Sequence, residues 1–219
     1  MTITVYALQS VLGTTDCQFV ANPSRRGRWL PDEASLSLWQ RLSVRAGELE
    51  IDWATGAEQS CEPPLDLGPI TINRLSPSNA VVRRFGVLDG YRRLMSVVVL
   101  LAALGNEAQT RGDPVGAARI RDKYLINRYA RYPGDRWRLI PAAADTDGWE
   151  QLLTGGRACA ELLAPAAQSV SHWYSIAPER AVSAATYRLE RAIAGWTNVT
   201  EHYADRPFEQ SNHQGPQQD

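Results

Sequence analysis

The residues best suited to chemistry fall in one stretch, Arg83 to Leu104, RRFGVLDGYRRLMSVVVLLAAL. At its centre Asp89, Gly90, Arg92 and Arg93 separate a strand-like run from a helix-like run. Such a junction suits an anion. Glycine lets the backbone come close to a ligand. A helix beginning just after it points unpaired N–H groups and the positive end of its dipole at the junction. Two arginines in the first turn add fork-shaped donors for phosphate oxygens. Asp89 could hold Mg²⁺ or orient a water. The same residues also have a ligand-free account, in which Asp89 caps the helix and the arginines pair with carboxylates.

Other candidates are weaker. Cys17, Cys61 and Cys159 form no CxxC pair and have no nearby His, so neither a zinc site nor a disulfide framework is expected. His172, His202 and His213 are scattered without metal-ligand spacing. Trp29 lies among Arg25, Arg26 and Arg28, where it could stack on a base, although core packing is the expected role. Arg119, Arg121, Lys123, Arg128, Arg131, Arg136 and Arg138 form the most basic region. It reads as a DNA-facing patch or as a solvated face diluted by Asp122 and Asp135.

The elements that must position the junction follow from periodicity. A short helix is expected between Ile3 and Phe19, from Val5, Leu8, Val11 and Leu12. Asp32 is an N-cap candidate for a helix whose apolar face is Leu36, Leu38, Trp39 and Leu42. Strands are expected around Leu49 to Trp53, over Gly68 to Leu75 and over Val81 to Leu88. The strongest helix runs from about Tyr91 to Glu107, apolar nearly all round and therefore buried. Helices follow over Gly112 to Tyr124, Asp145 to Leu153, Cys159 to Trp173 and Glu179 to Gly195, with a short extended piece at Trp137 to Ile140. Strands early and helices late predict an α+β arrangement.

Composition sets the frame. The chain has 219 residues, 44% hydrophobic and 21% charged, which excludes disordered, collagen-like and disulfide-scaffold classes. Lys plus Arg is 23 against 24 for Asp plus Glu, so no global basic field is available for nucleic acid. Lys123 is the sole lysine, and a GC-rich coding bias accounts for that most simply. The N-terminus MTITVYALQSVLG lacks the charged region and cleavage site of a signal peptide, and the apolar run Val97 to Leu104 is too short to span a membrane. A cytoplasmic location is expected.

The segment around Asp89 resembles the V-[VI]-D-G-Q-Q-R-L-T-T-L-x-L-L-L-A-A-L core of the GmrSD-type restriction endonuclease N-terminal family, which is similar to the ParB/sulfiredoxin-like fold. The resemblance extends along the chain in order. Phe19 to Trp29 resembles the family's F-x-I-P-x-Y-Q-R-x-Y-x-W stretch, Leu38-Trp39 its L-W, and Leu67 to Ile70 its L-G-x-I strand. Leu125, Asn127, Tyr129, Arg138 to Pro141, Asp145 and Trp149 to Leu153 resemble its Y-L-x-N, R-L-x-P and D-x-x-x-F-x-x-L-L run. Phe208 to Gly215 resembles its F-E-x-L-N-x-R-G.

The resemblance implies a ParB/sulfiredoxin-like lobe with a small mixed sheet over about residues 1–105. A mainly helical lobe over 106–219 would form one structural unit with it. It also implies a module that binds, and in the family hydrolyses, a nucleoside triphosphate with Mg²⁺, often GTP, in an anti-phage or modified-DNA restriction system. Asp89 and Arg93 would be the catalytic pair, with Asp89 on the metal. Gly90, Tyr91, Arg92, Arg26, Asn212 and Gly215 would line the nucleotide pocket. DNA and a nuclease subunit would be partners, since the family's HNH nuclease segment has no counterpart up to residue 219.

Departures alter the expectation. The family's Q-Q is Tyr91-Arg92, its upstream Y-Q-R is Ser24-Arg25-Arg26, and its final motif has Ser211 for Leu and Gln214 for Arg. Loss of a glutamine that positions water would weaken turnover and spare binding. Gly90 to Arg93 also approaches the G-E-R-R turn with which ParB-type proteins bind CTP. A catalytically inactive binding module and a CTP-switched DNA-binding protein therefore stand beside the hydrolase.

Overall fold

The computed structural model describes residues 12–13, 17–21, 29–53, 57–59, 66–76, 82–127, 130, 132–142, 145–146, 149–154, 160–194 and 197–202. In chain order the elements are β1 (Cys17–Ala21), α1 (Glu33–Glu48), β2 (Glu50–Asp52), β3 (Ala57–Gln59), β4 (Asp66–Arg74), β5 (Arg83–Asp89) and α2 (Tyr91–Thr110). They continue with α3 (Pro114–Ile120), β6 (Leu139–Ile140), α4 (Trp149–Thr154), α5 (Ala160–Ile176), α6 (Val182–Ala194) and β7 (Thr197–His202). The architecture is α+β. Five strands form one mixed sheet in the order β6-β1-β5-β4-β7, and β2 pairs with β3 in a separate antiparallel ribbon. Strand β1 runs parallel to β5 and β6, while β4 is antiparallel to β5 and parallel to β7.

Helix α2 forms because its sequence leaves no other way to bury it. From Leu94 to Leu104 every side chain is 3% exposed or less. A helix apolar on all sides must be enclosed, and α1, α3, α5, α6 and β4 all pack on it. Helix α1 is held at its start by Asp32, whose carboxylate accepts from the Ser35 N–H. It buries Ser35, Leu38, Trp39, Leu42 and Ala46. Leu36, expected on that face, is turned outward and about half exposed. It lies two positions from Leu38, so the two cannot share one helical face.

The sequence reading differs from the structure in several further places. The chain at Cys17 to Ala21 is a strand and not the end of a helix: Phe19 pairs with Phe85 in register, their rings stack, and the Phe19 N–H donates to the Arg138 carbonyl at 2.7 Å. Long-range pairing thus overrides a local helical period. The helix expected over Gly112 to Tyr124 ends as α-helix at Ile120 and continues as one π-helical turn, Arg121–Leu125. That turn lets adjacent Tyr124 and Leu125 both face the core. The helix expected from Asp145 begins at Trp149. Finally, β7 lies where no strand was expected, and β6 and β7, drawn from after residue 105, form the two edges of the sheet. Helix α2 itself runs through position 105. The short-helix expectation before Leu12 lies outside the described residues.

A buried carboxylate ties α6 to the end of α3. Glu190 is 1% exposed, accepts from Arg119 Nε at 2.7 Å and from the Tyr124 hydroxyl at 3.2 Å, and lies 3.8 Å from Lys123 Nζ. Burial, then the Glu190 charge beside it, pushes the Tyr124 hydroxyl well above the ordinary phenol range, so it stays a donor. Replacing Glu190 by Gln should cost about 2 kcal/mol, towards the low side for a buried charge because Arg119 and Lys123 still reach water. Urea unfolding measures this; a loss under 0.5 kcal/mol (about half of one typical hydrogen bond) would mean the cluster is not a tie.

Candidate functional site

The candidate site is the junction of β5 and α2. Gly90 takes φ +81°, in the left-handed region that favours glycine, and is the residue preceding the helix. A Cβ there would lie 3.0 Å from the Ile70 backbone and 3.0 Å from the Pro69 carbonyl on β4. The glycine is thus required by the turn and by the close approach of β4, whether or not a ligand is present.

No side chain caps Gly90, and no acidic residue lies in the first turn of α2. Asp89 is therefore not the cap. Its side chain is 66% exposed and stands 3.4 Å from Arg93 Nη2, and Arg93 is about one-third exposed. Arg92 Nη1 is 3.5 Å from Asp32 Oδ2 at the start of α1, with side-chain exposures of 58% and 40%. Both arginines thus meet carboxylates, as the ligand-free account of the sequence anticipates. Even so, two cations at the positive end of a helix dipole are unfavourable for the helix itself.

The starts of α1 and α2 are joined by hydroxyls. Asp32 Oδ1 accepts from the Ser35 N–H at 2.9 Å and from Ser35 Oγ at 2.8 Å. Ser35 Oγ is 2.9 Å from Ser96 Oγ, which is also 2.9 Å from the Arg92 carbonyl. Two hydroxyl protons cannot serve three contacts. With Asp32 ionised, Ser35 Oγ donates to it, and the Ser96 proton has both the Arg92 carbonyl and Ser35 Oγ within reach. Trp39 Nε1 donates to the Ser96 carbonyl at 2.9 Å and fixes the same pair of helices. The Ser35 side-chain and backbone hydrogen bonds hold the Asp32 carboxyl below its ordinary pKa.

Tyr91 faces the interior. It is 2% exposed, and its hydroxyl donates to Asp145 Oδ2 at 3.0 Å while accepting from the Ala142 N–H at 3.1 Å. Asp145 Oδ1 accepts from the Trp29 N–H at 2.6 Å. Asp145 therefore ties three segments behind the junction: the chain at Trp29, the first residue of α2, and the loop after β6. Trp29 is buried, in keeping with core packing.

Asp89, Gly90, Tyr91, Arg92 and Arg93 are thus contiguous, with Tyr91 turned away from the other side chains. Arg26, Asn212 and Gly215 lie outside the described residues, as do Arg25 and Arg28. Asp32 and Asp145 are the residues the sequence reading missed in this role. Asp32 was legible as a helix start, Asp145 was read as one although its helix begins at Trp149, and no local signal told which helix or loop each would meet.

Among the described residues no group of three or more His, Cys, Asp or Glu could hold a metal ion. Asp89 offers one exposed carboxylate beside Arg93, which could meet Mg²⁺ only together with phosphate oxygens and water. The described cations of the basic stretch have carboxylate neighbours or are buried. Arg119 and Lys123 meet Glu190, Arg121 meets Asp122, Arg136 meets Glu150 and Arg138 is buried. Arg128 and Arg131 lie outside the described residues. No protein-family model matches the chain, and no curated protein matches it. Among the described residues no helix is long and apolar enough to cross a membrane.

Two outcomes follow. Gly90→Ala should cost about 1–3 kcal/mol, from the positive φ and the contact with β4. Tyr91→Phe should cost about 1–2 kcal/mol by leaving Asp145 and the Ala142 N–H a partner short. Chemical denaturation reads both, and wild-type stability in either variant would contradict the packing described. The cap has a pH signature too. Because the folded pKa of Asp32 is depressed, its contribution is complete above the unfolded carboxylate pKa and is lost as pH falls through the folded value. Asp32→Ala should therefore lose about 1 kcal/mol at neutral pH, and the gap from wild type should close in acid. A gap independent of pH would exclude the ionised cap.

Proposed function

We propose that the chain is a nucleotide-binding module that takes the phosphates of a nucleoside triphosphate, with Mg²⁺, at the start of α2. The observation that carries this is one helix end. A 20-residue helix opens with Gly-Tyr-Arg-Arg, without a side-chain cap and without an acid in its first turn. Helix starts ordinarily favour Asp or Glu. A helix that puts two guanidinium groups there runs against that preference, the half-exposed contacts with Asp32 and Asp89 offset it only weakly, and such local inconsistencies concentrate at functional sites. Arg92 and Arg93 would hold phosphate oxygens, and Asp89 would hold the metal, which neutralises phosphate charge when bound.

The resemblance to the GmrSD-type family supplies the biological setting: a bacterial anti-phage or modified-DNA restriction system in which a partner provides the nuclease. Binding without turnover is the reading Tyr91 favours. The family has glutamine at that position, whereas the Tyr91 hydroxyl is committed to Asp145 and the Ala142 N–H. It is not available to orient an attacking water.

Thermal-shift measurements with GTP, ATP, CTP and UTP, each with Mg²⁺, test the proposal. Ligand that binds the native state raises Tm by mass action, by about 2.7 kcal/mol of stability at a hundred times Kd. Wild type should shift with at least one nucleotide, and Arg93→Ala should lose the shift. Phosphate release should stay at background. Absence of any shift would overturn the proposal, and release that depends on Asp89 would restore the hydrolase. A preference for CTP would favour the ParB-like account.

A further inference from the structure

We propose that Asp32 is a built-in competitor at this site: its carboxylate holds Arg92, and an anion binding at the start of α2 must win that arginine from it. The inference rests on the triphosphate reading above and adds a regulator to it. Three observations carry it. The carboxylate is fixed, because Asp32 Oδ1 is held by the Ser35 N–H and hydroxyl, leaving Oδ2 to face Arg92. Its platform is fixed too. Leu38, Trp39 and Leu42 of α1 are buried, and Trp39 Nε1 is bonded to the Ser96 carbonyl of α2. The pair itself is loose, at 3.5 Å between half-exposed partners. A contact of that kind is weak enough to be broken by a better ligand. Arg92 can therefore move to an anion while Asp32 cannot follow.

The contact was not readable from sequence spacing, since the partners are sixty residues apart and Asp32 reads only as a helix cap.

The test is isothermal titration of inorganic tripolyphosphate with Mg²⁺, and of GTP with Mg²⁺, into the full chain. Wild type, Asp32→Asn, Arg92→Ala and the double variant complete a cycle. Asparagine caps helices as well as aspartate, so Asp32→Asn keeps the acceptor for Ser35 and removes the charge. Asp32→Ser is a second capping variant should the first not fold. Both capping variants should bind tripolyphosphate about threefold tighter than wild type, the scale of one exposed ion pair. The gain should disappear when Arg92 is Ala, and Glu33→Gln, one residue along, should give less. Binding only by Asp32→Asn would also support the proposal. Unchanged or weaker binding by folded Asp32→Asn, while wild type binds, would overturn it and leave the triphosphate reading intact. The same gain in the Arg92→Ala background would overturn it as a general field effect. If neither wild type nor Asp32→Asn binds, the triphosphate reading falls and the competitor falls with it.

Discussion

The burial of α2 is the constraint on which the rest depends. Eleven consecutive residues, Leu94 to Leu104, are hidden from solvent on every side of the helix. Burying an aliphatic side chain is worth roughly 1.5–3 kcal/mol, so no rotation or slide of α2 is tolerated without exposing part of that surface. The start of the helix is fixed as a result. Gly90 must turn in the left-handed region, β4 must pass within contact of it, and Arg92 and Arg93 must emerge where they do.

The polar groups around α2 obey the same logic. Ser96 is the one hydroxyl within the apolar run, and it is served by Ser35 while its carbonyl receives Trp39 Nε1. Asp145 is buried behind the first turn and receives Trp29 N–H and Tyr91 O–H. A buried polar group is tolerated only when it is paired, so each of these contacts also specifies which loop lies beside the helix. The chemistry available at the exposed side is simple by comparison: two arginines, two carboxylates and a helix dipole. That composition suits charge recognition.

Much of the fold was legible. The helix after Asp32, the strands at Gly68 to Leu75 and Val81 to Leu88, and the helix after Gly90 were all marked by period, cap or turn chemistry. The strand at Cys17 to Ala21 was not, because its identity comes from pairing with β5 and β6 more than a hundred residues apart in part. The same holds for β7, whose partner β4 lies over a hundred residues upstream. Non-local pairing has no local signature. Arg136 and Arg138 looked alike in sequence, yet one meets Glu150 at the surface and the other is buried. Exposure of a charge is decided by neighbours that sequence order does not name.

By itself, the sequence determined that α2 would be buried, that a glycine turn would precede it, and that two arginines would stand in its first turn. These are properties of adjacent residues, set by side-chain chemistry and helical period. Only the tertiary structure decided that Arg92 faces Asp32, that Tyr91 turns inward to Asp145, and that Gly90 is required by β4. Those relations join segments that are distant in the chain, and they exist because packing the apolar surface of α2 brings such segments to one place.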